Sequence, residues 1–498
     1  MENRKYLKRA ATGTIFVFLF GILTAFFGYL LRLVLTANLT PAEYGLYYSC
    51  LSLIGVFALF KDFGLNQSLI YHISKFRTER KLKKLKSSVF TVLFIQSIPA
   101  FIISIIIFLC ADFLALNYLH LSENLLAGAF VIKFLAVVYF IQIFYGIILS
   151  ILQGFQKMKF FAIADFCRMV FYFAFTLLFI SLNLAVLSPA LGFLLSYVLS
   201  VALFSPFVAK LIPKAKFSFS KELTKKLIFY GFPIMLSGAA GLIIGYTDTI
   251  LITLFKSLEE VGIYQTAQPT ARLLWFFSGA LASVLFPMVT ELKTKKDGTL
   301  EKGISLIYRY VWVALIPFAL MAFAFSKEIL NLFFGSFYAR GSLVLKILAI
   351  GAIFYSVAQI NGVALNGIGK PQNFTKIVYL GAIANLIGNL LLIPIIGISG
   401  AAISTLLTYF IMFCFSFFEL KKFIKIKLPL AEWIKTLFAG FVALLSIYLL
   451  KNLLATNVFL EVFICFSISI SLFFCLLIAL KVIDLNEILK LTRQIIKK

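Results

Sequence analysis

Residues 245–267 read GYTDTILITLFKSLEEVGIYQTA: an apolar helix carrying one acidic residue, Asp248, then a short polar turn, then Val261-Gly262-Ile263-Tyr264 opening another apolar run. The same arrangement stands near the N-terminus. Thr40 to Tyr47 reads TPAEYGLY, follows a similar apolar helix, and matches SLEEVGIY at Ser257 to Tyr264 in its Glu, Gly and Tyr. A second pair of landmarks keeps the register, because the turn Leu152-Gln153-Gly154-Phe155-Gln156-Lys157 is echoed by Leu365-Asn366-Gly367-Ile368-Gly369-Lys370. The interval from Glu43 to Glu260 is nearly the interval from Lys157 to Lys370. The chain is therefore read as an internal duplication.

Composition fixes the class of the repeated unit. The 498 residues are 62% hydrophobic and 13% charged, with a mean hydropathy of +1.03, far from a soluble globular composition. A helical span needs about twenty apolar residues, and the sequence offers about fourteen such stretches. They lie near 12–37, 44–73, 87–110, 124–153, 158–182, 186–209, 227–255, 261–290, 303–325, 341–368, 375–393, 398–420, 430–450 and 458–480. The first, after MENRKYLKR, is too long for a signal-peptide core and has no small-residue cleavage site, so it is read as a retained span.

The net charge of +26 invites a nucleic-acid partner, but its distribution excludes one. Lys and Arg crowd into every second loop: the tail with Arg4, Lys5, Lys8 and Arg9, the stretches 75–86, 210–226 and 421–435, and the C-terminus. In the other set of loops stand only Lys256, Lys327, Arg340, Lys346 and Lys451. This is the positive-inside pattern, and it predicts a cell-membrane protein with both termini in the cytoplasm. The basic loops are expected to touch anionic lipid headgroups.

An even number of spans separates the copies, so both enter the membrane in the same direction, as in parallel transporter repeats with the substrate site between the halves. The predicted fold is all-α: two parallel-repeat six-helix bundles, at 1–210 and 227–425, joined by a basic cytoplasmic linker at 211–226. Two additional helices and a basic tail follow at 426–498. In the second half, Gly231-Phe232-Pro233 opens the seventh span, and Gly238, Gly241 and Gly245 are expected to allow close helix packing. The six cysteines stand without close pairing and read as free thiols. His72 and His120 lack ligand-spaced companions, so no metal and no cofactor is expected.

The residues resemble a known family. DFGL at Asp62 to Leu65, the two Glu-x-Gly-x-Tyr turns, DTILI at Asp248 to Ile252, and LNGIGK followed by NLIGNLLLIPIIGISGAAIS at Asn385 to Ser404 look like the polysaccharide transporter family. This family includes the O-antigen type flippases. It belongs to the multidrug, oligosaccharidyl-lipid and polysaccharide exporter superfamily, whose drug exporters share the two-bundle architecture. The resemblance runs from about residue 8 to 420 and is most specific at Asn385 to Ser404. It implies a transporter, not an enzyme. The expected activity is to carry a polyprenyl-diphosphate-linked oligosaccharide from the cytoplasmic to the outer leaflet by alternating access, with polysaccharide-assembly proteins as partners.

Elementary chemistry points the same way. A sugar headgroup crossing hydrocarbon would lose its hydrogen bonds, so it requires a polar cavity. Charges inside spans cost about 2.5–3.5 kcal/mol each on insertion scales and are functional candidates. Here Arg32, Lys61, Lys133, Arg168 and Arg272 outnumber Asp62, Asp165 and Asp248, which suits an anionic diphosphate. Arg272, deep and without a local partner, is the leading phosphate ligand, with Lys61, Arg168 and Lys133 beside it. Gln96 and Gln142 are candidates for sugar hydroxyls, as are Asn361, Asn385 and Asn389, although helix-to-helix hydrogen bonding explains amides equally well.

Each charge also has a structural reading. Arg32 and Lys133 lie near enough to the outer edge to snorkel, and Asp165 and Arg168 are spaced to neutralise each other on one helix. The repeat places Arg32 and Asp248 at similar depth in equivalent helices, so they are expected to form an outer gate. Asp62 and Asp165 join them as gate or ion-coupling residues, with proton, sodium or membrane potential as the driving force. A lipid II-type precursor flippase and a cation-coupled multidrug exporter are the alternative functions. The net-basic set disfavours cationic drugs, and the absence of Asp-x-Asp disfavours a metal-dependent glycosyltransferase.

Overall fold

A computed structural model describes residues 2–121, 124–275, 299–453 and 458–483, with scattered positions between 276 and 298. Most of the second half of the expected eighth span, the lysines at 293, 295 and 296 and the basic tail beyond 483 lie outside the described residues. Among the described residues every regular element is helical. Among the described residues twelve helices are long and apolar enough to cross a membrane, or thirteen if the bent pair Pro41–Val56 and Ala58–Thr78 is one span. The protein is a multi-pass integral membrane protein. Large apolar side chains stand on its outer faces, such as Phe229 at 80% exposure and Leu109 at 73%, where lipid is their solvent.

Contacts divide the chain into two compact units, 1–262 and 263–498. The first holds α1 (Glu2–Asn38), α2 (Pro41–Val56), α3 (Ala58–Asp62), α4 (Leu65–Thr78), α5 (Leu82–Leu109), α6 (Ala111–Asn117), α7 (Leu125–Gly154), α8 (Met158–Ser181), α9 (Leu187–Ala209), α10 (Lys221–Phe255) and the start of α11 (Leu258–Arg272). Helices α8 and α9 pack along each other, as do α1 on α8 and α7 on both α5 and α9. Helix α10 opens the half expected to be the second copy, yet it packs on α2, α4 and α5. The repeat boundary and the contact boundary therefore differ.

Both copies of the Glu-x-Gly-x-Tyr motif are helix starts. Thr40 caps α2 in a capping box: the Glu43 amide donates to Thr40 Oγ1 at 3.3 Å, and the Thr40 amide donates to Glu43 Oε2 at 2.9 Å. In the second copy the Glu260 amide donates to Ser257 Oγ at 3.3 Å. The two starts cross at their glycines. A Cβ on Gly45 would overlap the Leu258 carbonyl, and one on Gly262 would come 2.6 Å from the Pro41 carbonyl oxygen. Ser49 and Thr253 hydroxyls continue the contact between α2 and α10 at 2.8 Å.

The expected second span, 44–73, is not one helix. It breaks at Phe57 and again at Phe63 and Gly64, whose φ values of 48° and 70° are left-handed, and the two parts bend by 44°. Gly64 tolerates that φ without a side-chain penalty, and the break leans on α10, where a Cβ on Gly231 would lie 2.9 Å from the Gly64 carbonyl oxygen. The expectation for the other glycines of α10 needs correction. A Cβ on Gly238, Gly241 or Gly245 would meet nothing within 4 Å among the described residues, so the close approach on this helix falls at Gly231. A run of small residues permits close packing, but only a partner backbone makes use of it.

The second unit contains α12 (Thr299–Ala324), α13 (Ser326–Phe334), a 3-10 turn (Ser336–Gly341), α14 (Ser342–Gly367), α15 (Pro371–Ile396), α16 (Ile398–Lys421), α17 (Leu430–Leu453) and α18 (Val458–Ala479). Helix α16 packs on both α14 and α15. The last two helices are docked on α12: the Trp312 and Trp433 rings stack at 4.3 Å, and Trp433 Nε1 donates to the Tyr308 carbonyl at 3.1 Å. Lys451 pairs with Glu328 of α13.

Candidate functional site

The polar residues of the first unit gather around the break in α2 to α4. A non-helical stretch at membrane depth leaves backbone groups to be satisfied by neighbours. Tyr139 of α7 donates to the Phe57 carbonyl at 2.9 Å, and Asp62 Oδ1 accepts the Asn66 amide at 2.9 Å. Gln96 of α5 completes the repair: its Nε2 lies 3.0 Å from Asp62 Oδ1, 3.1 Å from the Asp62 carbonyl oxygen and 3.4 Å from Asn66 Oδ1. Lys61 turns the other way. Its Nζ donates to Gln142 Oε1 at 2.5 Å and lies 5.9 Å from the Tyr139 ring centre. The structure thus brings together four predicted residues in two pairs, Lys61 with Gln142 and Asp62 with Gln96.

Arg168 and Asp165 form an ion pair at 3.2 Å along α8. The guanidinium also lies 5.1 Å from the Tyr197 ring centre on α9 and 5.9 Å from that of Tyr145 on α7, an arrangement that keeps a cation inside a helix bundle by cation–π attraction. Lys133 is placed apart from these. It reaches Asp112 on α6 at 3.1 Å, and Asp112 is more than half exposed, so this charge is held at the outer edge of the fold. Arg32 donates to Tyr44 Oη at 3.4 Å and lies over the Tyr48 ring at 4.4 Å. Asp248 is fully buried on α10.

In the second unit Arg272, at the end of α11, is half-buried with its carbon Cζ 5.2 Å from the Trp275 ring centre. Its Nε is buried without a hydrogen-bond partner among the described residues. Trp275 leans on Tyr355 at 4.3 Å and on Tyr409 at 6.0 Å. The cation therefore stands over one ring, Trp275, which is backed by two tyrosines. The asparagines are spent on the fold instead. Asn361 accepts from Tyr308 and donates to Ser416 at 2.8 Å, while Asn389 donates to Asn385 Oδ1 at 3.1 Å and Ser404 donates to the Asn385 carbonyl at 3.0 Å.

The aromatic partners Tyr139, Tyr145 and Tyr197 were not legible as site residues, because each stands on a helix remote in sequence from the cation it faces; Trp275 is only three residues from Arg272 and was missed, and Tyr355 and Tyr409 join it only through packing. Asn66 had a weak signal, since it follows Asp62 by one helical turn. Among the described residues no three His, Cys, Asp or Glu side chains gather as a metal site, and all six cysteines are free.

Residues 10–293 match the family model described as polysaccharide biosynthesis protein. A membrane protein of Methanocaldococcus jannaschii is 33% identical over 99% of this chain and 100% of its own length. A Haloferax volcanii protein carrying the name "Probable low-salt glycan biosynthesis flippase Agl15" is 26% identical over 79% of this chain and 80% of its own. Among solved structures, the lipid II flippase MurJ in an inward closed conformation has a TM-score of 0.75 at 17% identity, covering 96% of this chain and 100% of that one. At that identity the likeness concerns the fold.

Proposed function

Because the chain belongs to the polysaccharide biosynthesis protein family, within the multidrug, oligosaccharidyl-lipid and polysaccharide exporter superfamily, we propose that it is a flippase for a lipid-linked oligosaccharide. It carries a polyprenyl-diphosphate-linked glycan of the O-antigen or polysaccharide repeat-unit kind from the cytoplasmic to the outer leaflet by alternating access. The glycan flippase among its relatives supports that cargo class.

The observation that carries the reading is Arg272. Its buried Nε, without a hydrogen-bond partner among the described residues, costs free energy unless a ligand takes the hydrogen bond, and a guanidinium matches phosphate oxygens in geometry and charge. The neighbouring faces of Trp275, Tyr355 and Tyr409 suit the apolar face of a sugar ring. In the first unit, Lys61 and Arg168 add positive charge, and Gln96 and Gln142 add amides able to bond sugar hydroxyls. Lys133 is a peripheral contributor to the same field. We further read Arg32 and Asp248 as an outer gate, Asp62 and Asp165 as coupling residues, and both termini as cytoplasmic.

The test is flipping in proteoliposomes that hold the full chain, offered a polyprenyl-diphosphate oligosaccharide and a cationic dye in parallel. Glycolipid movement that falls at least tenfold in Arg272→Ala, as loss of a charge-assisted phosphate contact of about 1.5–3 kcal/mol requires, supports the assignment. Dye export without glycolipid movement moves the protein to drug export, and movement of a lipid II-type precursor alone moves it to cell-wall synthesis.

A further inference from the structure

The helix break at Asp62 to Gly64 holds more oxygen than its own repair needs. Three oxygens from two residues, Asp62 Oδ1, the Asp62 carbonyl and Asn66 Oδ1, converge on a single nitrogen, Gln96 Nε2, at 3.0, 3.1 and 3.4 Å. One amide NH2 has two protons to give and so cannot satisfy three acceptors well. The same amide leaves Gln96 Oε1 without a hydrogen-bond partner among the described residues, on a side chain only 1% exposed. A glutamine that crowds its donor and orphans its acceptor inside a membrane protein is poorly matched to hydrogen bonding alone.

From this geometry we propose that Asp62, Asn66 and Gln96 form a binding site for a monovalent metal cation of sodium size. The Gln96 amide nitrogen holds the place of the ion. When the amide turns over, Oε1 faces the same three oxygens, and four converging oxygens repel one another unless a cation stands between them. The donor set is one carboxylate and three neutral oxygens, which balances a single positive charge and falls short of the ligand charge that divalent ions favour. A discontinuous transmembrane helix whose unwound carbonyls join the ligands is the setting in which transporters hold sodium.

The charged neighbour is Lys61, and its ammonium is drawn off to Gln142 Oε1 and the Tyr139 ring, away from the converging oxygens. On the other flank the break rests on α10, backbone against backbone at Gly64 and Gly231. Occupancy therefore acts on the break between α3 and α4 and, through it, on the contact with α10. The role as a coupling site rests on the flippase reading, whereas the binding itself does not.

Binding is measured on the purified full-length protein in lipid nanodiscs, by thermal unfolding and 22Na+ uptake, with sodium chloride against choline chloride at equal ionic strength. The expected result is a saturable rise in Tm with sodium, as a ligand of the folded state produces, matched by saturable 22Na+ binding. Asp62→Asn should abolish both, and Glu222→Gln, at an exposed carboxylate in the first turn of α10, should keep both. Gln96→Glu removes the nitrogen and adds a carboxylate, so it should tighten sodium binding about tenfold or more by added Coulomb attraction. Equal midpoints in the two salts for the unsubstituted protein, or a sodium response unchanged in Asp62→Asn and Gln96→Glu alike, overturn the proposal. Glycolipid flipping with no sodium response removes the ion site and leaves the flippase reading standing. A sodium response without flipping does the reverse.

Discussion

Arg32 shows how a residue's chemistry depends on what the fold puts beside it. In sequence it is one cation in an apolar run, open to snorkelling. In the structure its guanidinium bonds Tyr44 and lies over Tyr48, both on α2, so a cation–π contact tethers α1 to the helix bearing the first repeat motif. Asp248 is fully buried on α10. If the two act as a gate, Arg32→Asp and Asp248→Arg should each reduce flipping at least tenfold, since a buried reversed charge costs about 3 kcal/mol or more. The double exchange should restore transport to within a few fold. A double variant as inactive as either single one removes the gate. The measurement is initial flipping rate per folded protein.

At the scale of elements, the repeated motif does a defined mechanical task. Each copy caps a helix and then places a glycine one turn later, and those glycines let α2 and α11 cross with their backbones touching. Gly45→Val should therefore destabilise the protein by about 1–3 kcal/mol, the usual cost of overpacking, or prevent its accumulation. Gly238→Val has open space around its Cβ and should leave Tm within a degree or two, apart from a small change in helix propensity. Comparable losses for both variants, measured by thermal unfolding in detergent, would separate the glycine motif from the crossing. The contrast was hidden in the sequence, because Gly45 and Gly238 look alike until their neighbours are known.

At the scale of the whole molecule, the loop charges predict the topology. With basic loops inside, Lys83→Cys in a cysteine-free variant should be shielded from an impermeant maleimide in intact cells and react only after permeabilisation. Asn117→Cys, at the end of α6 on the weakly charged side, should react at once. The opposite pattern inverts the chain in the membrane. The docking of α17 and α18 on α12 through the Trp312 and Trp433 stack also gives the last two helices a structural place. They have no counterpart in the repeat, yet they are packed into the second unit by buried side chains.

The sequence by itself determined the class, the approximate number and position of the spans, the paired motifs and the identity of the charges inside the spans. These follow from local properties: apolar length, loop charge and short spaced motifs are visible without knowing any neighbour. It did not reveal that the span carrying Asp62 is broken, that Lys61 and Asp62 are claimed by Gln142 and Gln96, or that the Trp275 ring beside Arg272 is backed by Tyr355 and Tyr409. Nor did it distinguish the glycines that cross from those that face open space. Each depends on which side chains distant in sequence meet across a helix interface, and pairing within a bundle is decided only when the helices pack.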